Sequence, residues 1–207
     1  MSALGAIGDS ASAYARSKAE GEAKARANFP NAIILRPSVI FGPEDQLFNR
    51  FASLSRFVPI LPLIGGGETR FNPVFVGDVA EAVATLIDRG VADGRIYELG
   101  GPQTLSFRQI LEFILETTGR RRLLMPVPWT VARIQGLLLG LLPKPLVTAD
   151  QVELLKTDNL VSEAATKERR TLEGLGIRSK SVPAVVPAYL YRFRKAGQFT
   201  APKGMPE

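Results

Sequence analysis

The chain has 207 residues, no cysteine, no histidine and a formal net charge of +6, and 45% of its residues are hydrophobic. A chain of this length can bury a core without disulfides, and this composition is typical of a globular protein. The absence of cysteine and histidine excludes His/Cys zinc sites, Ser-His-Asp triads and thiol nucleophiles. Acid/base chemistry must therefore use tyrosine, lysine, aspartate or glutamate, and we expect no metal site.

The basic surplus, 26 Lys and Arg against 20 Asp and Glu, is spread along the chain. This surplus mildly favours anionic partners. The sequence has no stripe of basic residues interleaved with aromatic ones, so we do not expect nucleic-acid binding. No stretch has the roughly 18 uncharged apolar residues that a membrane span needs, and no basic-then-apolar segment opens the chain. We therefore expect a soluble or peripheral protein.

Predicted helices and short strands alternate along the first part of the chain. An Ala-rich run up to Ala27 predicts a helix that ends before Pro30, and the continuously apolar residues 32–35 predict a strand buried on both faces. A helix over 46–57, a glycine turn at 65–67 and a strand at 73–76 follow. Asp78 with Glu81 then predicts an N-cap. A helix followed by a buried strand indicates an α/β fold.

Further capping signals mark the next elements. Residues 95–99 predict a strand, and Ser106 with Gln109 predicts a capping box that opens a helix ending near Gly119. Thr148 with Gln151 predicts a second capping box. Helices are also expected over 163–173 and 182–195.

The character of the sequence changes at Leu123. The apolar run from Trp129 to Leu142 would be about 21 Å long as a helix, which is too short to cross a hydrocarbon core of about 30 Å. It is therefore either a buried packing helix or a helix that lies on a hydrophobic surface. We predict that residues 1–122 form one domain, residues 123–198 a mostly helical region and residues 199–207 a frayed tail.

Tyr14 and Lys18 lie four residues apart on the first predicted helix, so their side chains leave the same face. An ammonium group near a phenol favours the phenolate form that acid/base chemistry needs, and a lysine can also donate to the ribose hydroxyls of a nicotinamide cofactor. Ser2, twelve residues before Tyr14, offers a hydroxyl to a substrate carbonyl. The alternative for this pair is a surface tyrosine beside a solvated lysine.

The order of these pieces resembles the extended and atypical short-chain dehydrogenase/reductase superfamily. The pieces are Ser-x11-Tyr-x3-Lys, a buried strand with Arg-Pro-x4-Gly-Pro, and the segment 72–80. Within the superfamily the sequence is most similar to the Rossmann-fold accessory subunit of respiratory complex I (NADH:ubiquinone oxidoreductase) and its bacterial relatives. The segments that carry this resemblance are SALGA (2–6), YARSKAEGE (14–22), PVFVGDVA (73–80) and LKTDN (155–159).

The resemblance implies a fold and a set of site residues. The fold would be the C-terminal part of an NAD(P)-binding Rossmann-type fold, with a small helical C-terminal region for substrate or docking. Tyr14 and Lys18 would be the catalytic and cofactor-binding pair, with Ser2 as their hydroxyl partner. The backbone of Pro37, Ser38 and Val39 would lie near the nicotinamide carboxamide. Sugar-nucleotide epimerases of the superfamily usually have a histidine in the neighbourhood of their Val-Asp-Asp-Val-Ala segment. This chain has Phe75 and Gly77 in that neighbourhood instead, which counts against a standard epimerase.

Members of this superfamily begin with a strand and a Gly-x-x-Gly-x-x-Gly turn that binds the pyrophosphate, and nothing before Tyr14 matches that unit. Gly65–Gly67 is no substitute, because a strand rather than a helix follows it. We therefore expect the N-terminal nucleotide-binding half to be missing. The strand at 32–35 would then have an unpaired edge, the first helix an uncovered face, and binding of NADP or NAD would be impaired.

Two functional classes remain open at this stage. The first is a nucleotide-binding subunit that docks on respiratory complex I or a membrane surface through the apolar run from Trp129, in the cytoplasm or at the inner face of the inner membrane. The second is an NAD(P)-dependent oxidoreductase or epimerase/dehydratase that acts on a sugar-nucleotide or isoprenoid-like substrate, with Tyr14 as general acid/base.

Overall fold

The structure, a computed structural model, describes residues 1–91, 93–139, 147–195 and 197. Residues 140–142 of the predicted apolar run and the predicted tail at 199–207 lie outside this part. The described chain is α/β. Its helices are α1 (Ala13–Asn28), α2 (Leu47–Phe57), α3 (Val76–Asp88), α4 (Phe107–Thr118), α5 (Trp129–Leu139), α6 (Ala149–Leu154), α7 (Glu163–Lys167), α8 (Val182–Val185) and α9 (Pro187–Leu190). Its strands are β1 (Ile34–Pro37), β2 (Ile40–Phe41), β3 (Ile60–Ile64), β4 (Arg70–Phe71), β5 (Val74–Phe75), β6 (Ile96–Leu99), β7 (Leu105–Ser106) and β8 (Leu123–Val127).

The strands form two-stranded ladders. β1 pairs with β6, β2 with β5 and β3 with β8, all parallel, while β4 and β7 are antiparallel. β8 follows the predicted domain boundary at residue 122 and pairs with β3 before it; the boundary itself stays a prediction.

The edge of β1 that faces away from β6 is not empty. The N–H groups of Ser2 and Leu4 donate to the carbonyls of Leu35 and Pro37, at 2.7 and 3.0 Å. The expectation of an unpaired edge on this strand is therefore wrong over these residues, because the chain's own residues 2–4 run beside it.

Local sequence signals decide several helix ends. Both predicted capping boxes are present, Ser106 with Gln109 at α4 and Thr148 with Gln151 at α6. The prediction for Asp78 is wrong: α3 begins at Val76, and the buried Asp78 carboxylate accepts the N–H of Lys180 instead. The predicted helix at 182–195 is divided into α8, α9 and a short 3-10 turn at Tyr191–Phe193, with Pro187 at the start of α9.

Three apolar clusters hold the elements together. The largest lies between α2, α4, α8 and α9 and includes Phe41, Phe48 and Phe107. A second packs α3 against β1 and β6, and a third lies under α5 and α6. At the glycine turn Gly65–Gly67, a side chain at Gly65 would collide with the ring of Trp129, so this glycine lets α5 approach the end of β3.

Helix α1 contributes little to these clusters. Of its residues only Ala15 and Glu22 are buried, which agrees with the expected uncovered face. Among the described residues, no helix has the length and apolar character that crossing a bilayer requires.

Candidate functional site

The structure brings Tyr14 and Lys18 together on the exposed side of α1. The Lys18 ammonium nitrogen lies 5.4 Å from the centre of the Tyr14 ring, and the Tyr14 side chain is 45% exposed. This distance is within the range of a cation–π interaction. Tyr14 is therefore exposed and Lys18 partly exposed on the same side of the helix.

The start of α1 is fixed by a carboxylate from a distant part of the chain. Asp150, in the first turn of α6, accepts hydrogen bonds from the N–H groups of Ala13 (2.6 Å) and Tyr14 (3.2 Å) and from the hydroxyl of Ser12 (3.0 Å). A carboxylate at a helix N-terminus both completes free N–H groups and interacts favourably with the helix dipole. Asp150 therefore sets the position from which Tyr14 projects. The sequence analysis missed it, and no local pattern connects residues so far apart.

Ser2 lies beneath α1 and is not joined to Tyr14. Its hydroxyl is buried and makes no hydrogen bond within the described residues. It faces the Glu22 carboxylate closely enough to help lower the pKa of that group. Ser2, the predicted hydroxyl partner of Tyr14, therefore lies close to Glu22, about two helical turns further along α1.

That ion pair joins α1 to β1. Arg36 donates through Nε and Nη2 to the two carboxylate oxygens of Glu22, at 2.8 and 2.7 Å. Burial alone would raise the pKa of Glu22, but the hydrogen bonds from Arg36, the nearby Ser2 hydroxyl and the charges of Arg36 and Arg26 outweigh it, so the pKa lies below its ordinary value. The pair is therefore charged at neutral pH and anchors the helix that carries Tyr14.

The predicted carboxamide segment, Pro37 to Val39, lies at the carboxyl end of β1. The Pro37 carbonyl accepts from Leu4, the Ser38 N–H donates to Leu99, and the Val39 carbonyl accepts from Val74. The Ser38 carbonyl and the Val39 N–H make no hydrogen bond to any described residue. The two groups belong to one trans peptide unit and point in opposite directions, so at most one of them can hydrogen-bond a given carboxamide.

Asn159 fastens this segment to the rest of the fold. Its side-chain oxygen accepts from the Ser38 hydroxyl at 2.7 Å, and its amide nitrogen donates to the Leu4 carbonyl at 3.3 Å. The preceding Asp158 receives two side-chain hydrogen bonds from Arg70, at 2.9 and 2.7 Å. The LKTDN segment (155–159), which the sequence analysis used only as a mark of resemblance, thus positions the end of β1.

Two kinds of binding site, a metal site and a pyrophosphate-binding turn, are not found among the described residues. No group of three or more histidine, cysteine, aspartate or glutamate side chains is placed to hold a metal ion in the part of the chain described. The glycine turn Gly65–Gly67 has positive φ angles throughout and leads towards β4. It therefore lacks the helix N-terminus that grips a pyrophosphate in dinucleotide-binding turns.

Comparison with known proteins gives a family match over the first part of the chain. Residues 3–100 match the NAD dependent epimerase/dehydratase family. These residues are similar to that family and make up just under half of the chain. The match takes in α1, β1 and the segment from Pro37 to Val39, so the predicted site residues Tyr14 and Lys18 lie inside it, while Ser2 lies just before it.

Individual relatives extend the similarity beyond residue 100. The chain is 34% identical over 207 residues, which is 95% of this chain and 50% of the relative, to the mitochondrial NADH dehydrogenase (ubiquinone) 1 alpha subcomplex subunit 9 of Arabidopsis thaliana. It is 34% identical over 180 residues, 86% of this chain and 46% of the relative, to the protein of the same name in Rattus norvegicus. The chain thus spans about half the length of the curated relatives it matches.

Solved structures show the same fold. A dTDP-glucose 4,6-dehydratase from Streptomyces venezuelae, crystallised with NAD, superposes with a TM-score of 0.61 at 22% identity over 87% of this chain and 50% of that one. A UDP-glucose 4-epimerase from Thermotoga maritima gives 0.58 at 18% identity over 88% and 53%. The architecture is therefore that of Rossmann-type NAD-dependent dehydratases and epimerases.

Proposed function

We propose that the protein binds a nicotinamide nucleotide, NAD or NADP, and uses it in a nucleotide-binding and docking role in the respiratory NADH:ubiquinone system. The observation that carries this proposal is the 34% identity over 95% of the chain with a subunit named for NADH dehydrogenase. One peptide group without a hydrogen bond at the end of β1, the Ser38 carbonyl or the Val39 N–H, supports the nucleotide part, and the Tyr14–Lys18 pair would face the ribose.

The described residues do not include a glycine-rich turn that would bind the pyrophosphate of the nucleotide. In the superfamily order, the glycine-rich turn and its helix precede the Tyr-x-x-x-Lys pair. We propose that the other half of the relatives' length lies on the N-terminal side of these residues and contains that turn. The residues that select NAD or NADP would lie there too.

A docking surface is proposed on the side of α5 and the end of α2. The α5 side chains Val131, Ile134, Leu137 and Leu138 are all more than 40% exposed. Burial and the charges of Arg122 and Arg56 lower the pKa of Arg120, which places three guanidinium groups close together. None of the three forms an ion pair with a carboxylate within the described chain. We propose that the apolar face of α5 and this cationic group contact respiratory complex I or a membrane surface, and that the protein lies in the cytoplasm or at the inner face of the inner membrane.

Nucleotide binding is tested by calorimetric titration of NADH and NADPH into the longer protein. We expect Lys18→Gln to weaken binding about tenfold, since one charge-assisted hydrogen bond to the ribose is lost. The matched control is Lys24→Gln, an exposed lysine on the same helix. Equal affinities of the two variants would exclude Lys18 from the nucleotide site, and no binding to the unaltered protein would contradict the proposal as a whole.

The alternative is an NAD(P)-dependent oxidoreductase or epimerase/dehydratase that acts on a sugar-nucleotide or an isoprenoid-like substrate. The accessible Tyr14 hydroxyl beside the Lys18 ammonium favours it, because a phenol in this setting can exchange a proton with a bound substrate. Replacement of Tyr14 by phenylalanine in the longer protein separates the two. Loss of turnover with nucleotide binding retained supports the enzyme, and no effect on any activity supports the docking subunit. Tyr191→Phe, at a tyrosine with 42% exposure, is the control.

A further inference from the structure

A cavity of about 230 Å³ lies between α2, β3 and α5, away from Tyr14 and the end of β1. Its walls are mainly apolar and include Phe51 and Leu54 of α2, Ile60 and Pro62 of β3, and Ala132 of α5. Ile60 and the neighbouring Gln135 are exposed, so the cavity reaches the surface. A cavity with such walls favours a hydrocarbon over water.

One charged group lines this apolar space. Arg50 of α2 is partly buried, lines the cavity, and forms no hydrogen bond or ion pair within the described chain. Partly buried charges are normally paired, because desolvation without a partner is unfavourable. Glu207 is the only acidic residue outside the described part, so the segment 140–146 before Val147 offers Arg50 no side-chain carboxylate. The Arg50 guanidinium is therefore available to pair with an anion from outside the described chain.

We propose that this cavity binds the hydrocarbon chain of an anionic single-chain amphiphile, such as a fatty acid, whose carboxylate pairs with Arg50. At roughly 30 Å³ for each methylene-sized group, the cavity holds about seven or eight carbon atoms. A molecule with an apolar tail of this size and an anionic head satisfies both the walls and the guanidinium. The site is distinct from the proposed nucleotide site, since its walls include neither Tyr14 nor Lys18.

A chain-length series measures the depth of the cavity. The probes are hexanoate, octanoate, decanoate and dodecanoate, each titrated below its micelle concentration into the 207-residue chain by calorimetry. Each buried methylene should raise the affinity about fourfold until about eight carbons are enclosed, after which the affinity levels off. An affinity that rises without a plateau, or no binding of dodecanoate, overturns the proposal, because a surface film rather than a cavity behaves in that way.

Variants then locate the head group and the tail. Arg50→Gln should weaken dodecanoate about tenfold and leave dodecanol, which has the same tail and no charge, within about twofold. Val58→Trp, which fills the cavity from a partly exposed position, should weaken both. Arg178→Gln, at an exposed arginine outside the cavity, is the control and should change neither.

Two further measurements keep the test decisive. Melting temperatures show whether each variant folds, and if Val58→Trp does not, the chain-length series and Arg50→Gln decide alone. Sedimentation with phosphatidylglycerol vesicles separates a lipid chain in the cavity from contact with a bilayer. Vesicle binding without dodecanoate binding, or equal dodecanoate affinity for Arg50→Gln and the unaltered chain, overturns the proposal.

Discussion

The Glu22–Arg36 ion pair is the residue-scale contact that joins the helix of Tyr14 to the strand that ends at the candidate carboxamide site. Both side chains are largely covered, with 10% of the Glu22 side chain and 22% of the Arg36 side chain exposed. Replacing Glu22 by glutamine leaves a covered guanidinium without its counter-charge, and we expect the free energy of unfolding at pH 7 to fall by about 2 kcal/mol. Chemical denaturation measures it.

The pH dependence of this effect has a definite sign. The pKa of Glu22 in the folded chain lies below its ordinary value of 4.5, so folding favours the ionised form. Its contribution is complete above about pH 4.5 and is lost as the pH falls through the lower folded value. The difference between the unaltered chain and Glu22→Gln should therefore shrink in acid. Glu20→Gln, at an exposed position of the same helix, should change stability by less than about 0.5 kcal/mol; a difference that is constant from pH 7 to pH 3 would contradict the assignment.

At the scale of the element, Asp150 determines where α1 begins. Replacing it by alanine removes three hydrogen bonds from the first turn of α1, and we expect a loss of about 1–2 kcal/mol of stability. The amides of Ala13 and Tyr14 should exchange hydrogen faster, while those of α4, which has its own capping box, stay protected. Asp150→Asn keeps an acceptor without the charge, so its stability should lie between that of the unaltered chain and that of Asp150→Ala. Hydrogen exchange that is unchanged in both variants would show that α1 does not depend on this contact.

Whether the sequence predicts an element of this fold depends on how close together in the chain the interacting residues lie. The capping boxes of α4 and α6 lie within four residues, so the sequence alone predicts them. Asp78 has the same local signature, but its carboxylate bonds Lys180, about a hundred residues away. Strand β8 was not predicted, because Pro126 has no N–H for a ladder and the partner strand β3 lies about sixty residues earlier. Asp150 and Asn159 act on the site through contacts of the same distant kind.

At the scale of the whole molecule, the candidate site also combines features that local geometry predicts with features that depend on distant contacts. The Tyr14–Lys18 pair follows from helix geometry alone, and the structure places the two side chains together. The position of Ser2 does not follow from spacing: residues 2–4 run along β1, which turns the Ser2 hydroxyl towards Glu22 rather than Tyr14. Chain order therefore predicts which residues form the site, and sheet pairing decides which of them touch.

The largest expected effect concerns how much of the nucleotide these residues can bind. The chain spans about half the length of its relatives. The groups that we propose for the nicotinamide and the ribose lie in the described part, but that part has no helix N-terminus after a glycine-rich turn for the pyrophosphate. Two or more charge-assisted hydrogen bonds to phosphate are worth about 3 kcal/mol together, so the 207-residue chain should bind NADH at least about a hundredfold more weakly than a protein that carries the other half as well. Calorimetric titration of both proteins measures this, with circular dichroism to verify that each is folded. Equal affinities would mean that the phosphates are bound by residues already in this chain, and the proposed division of the site between two halves would have to be given up.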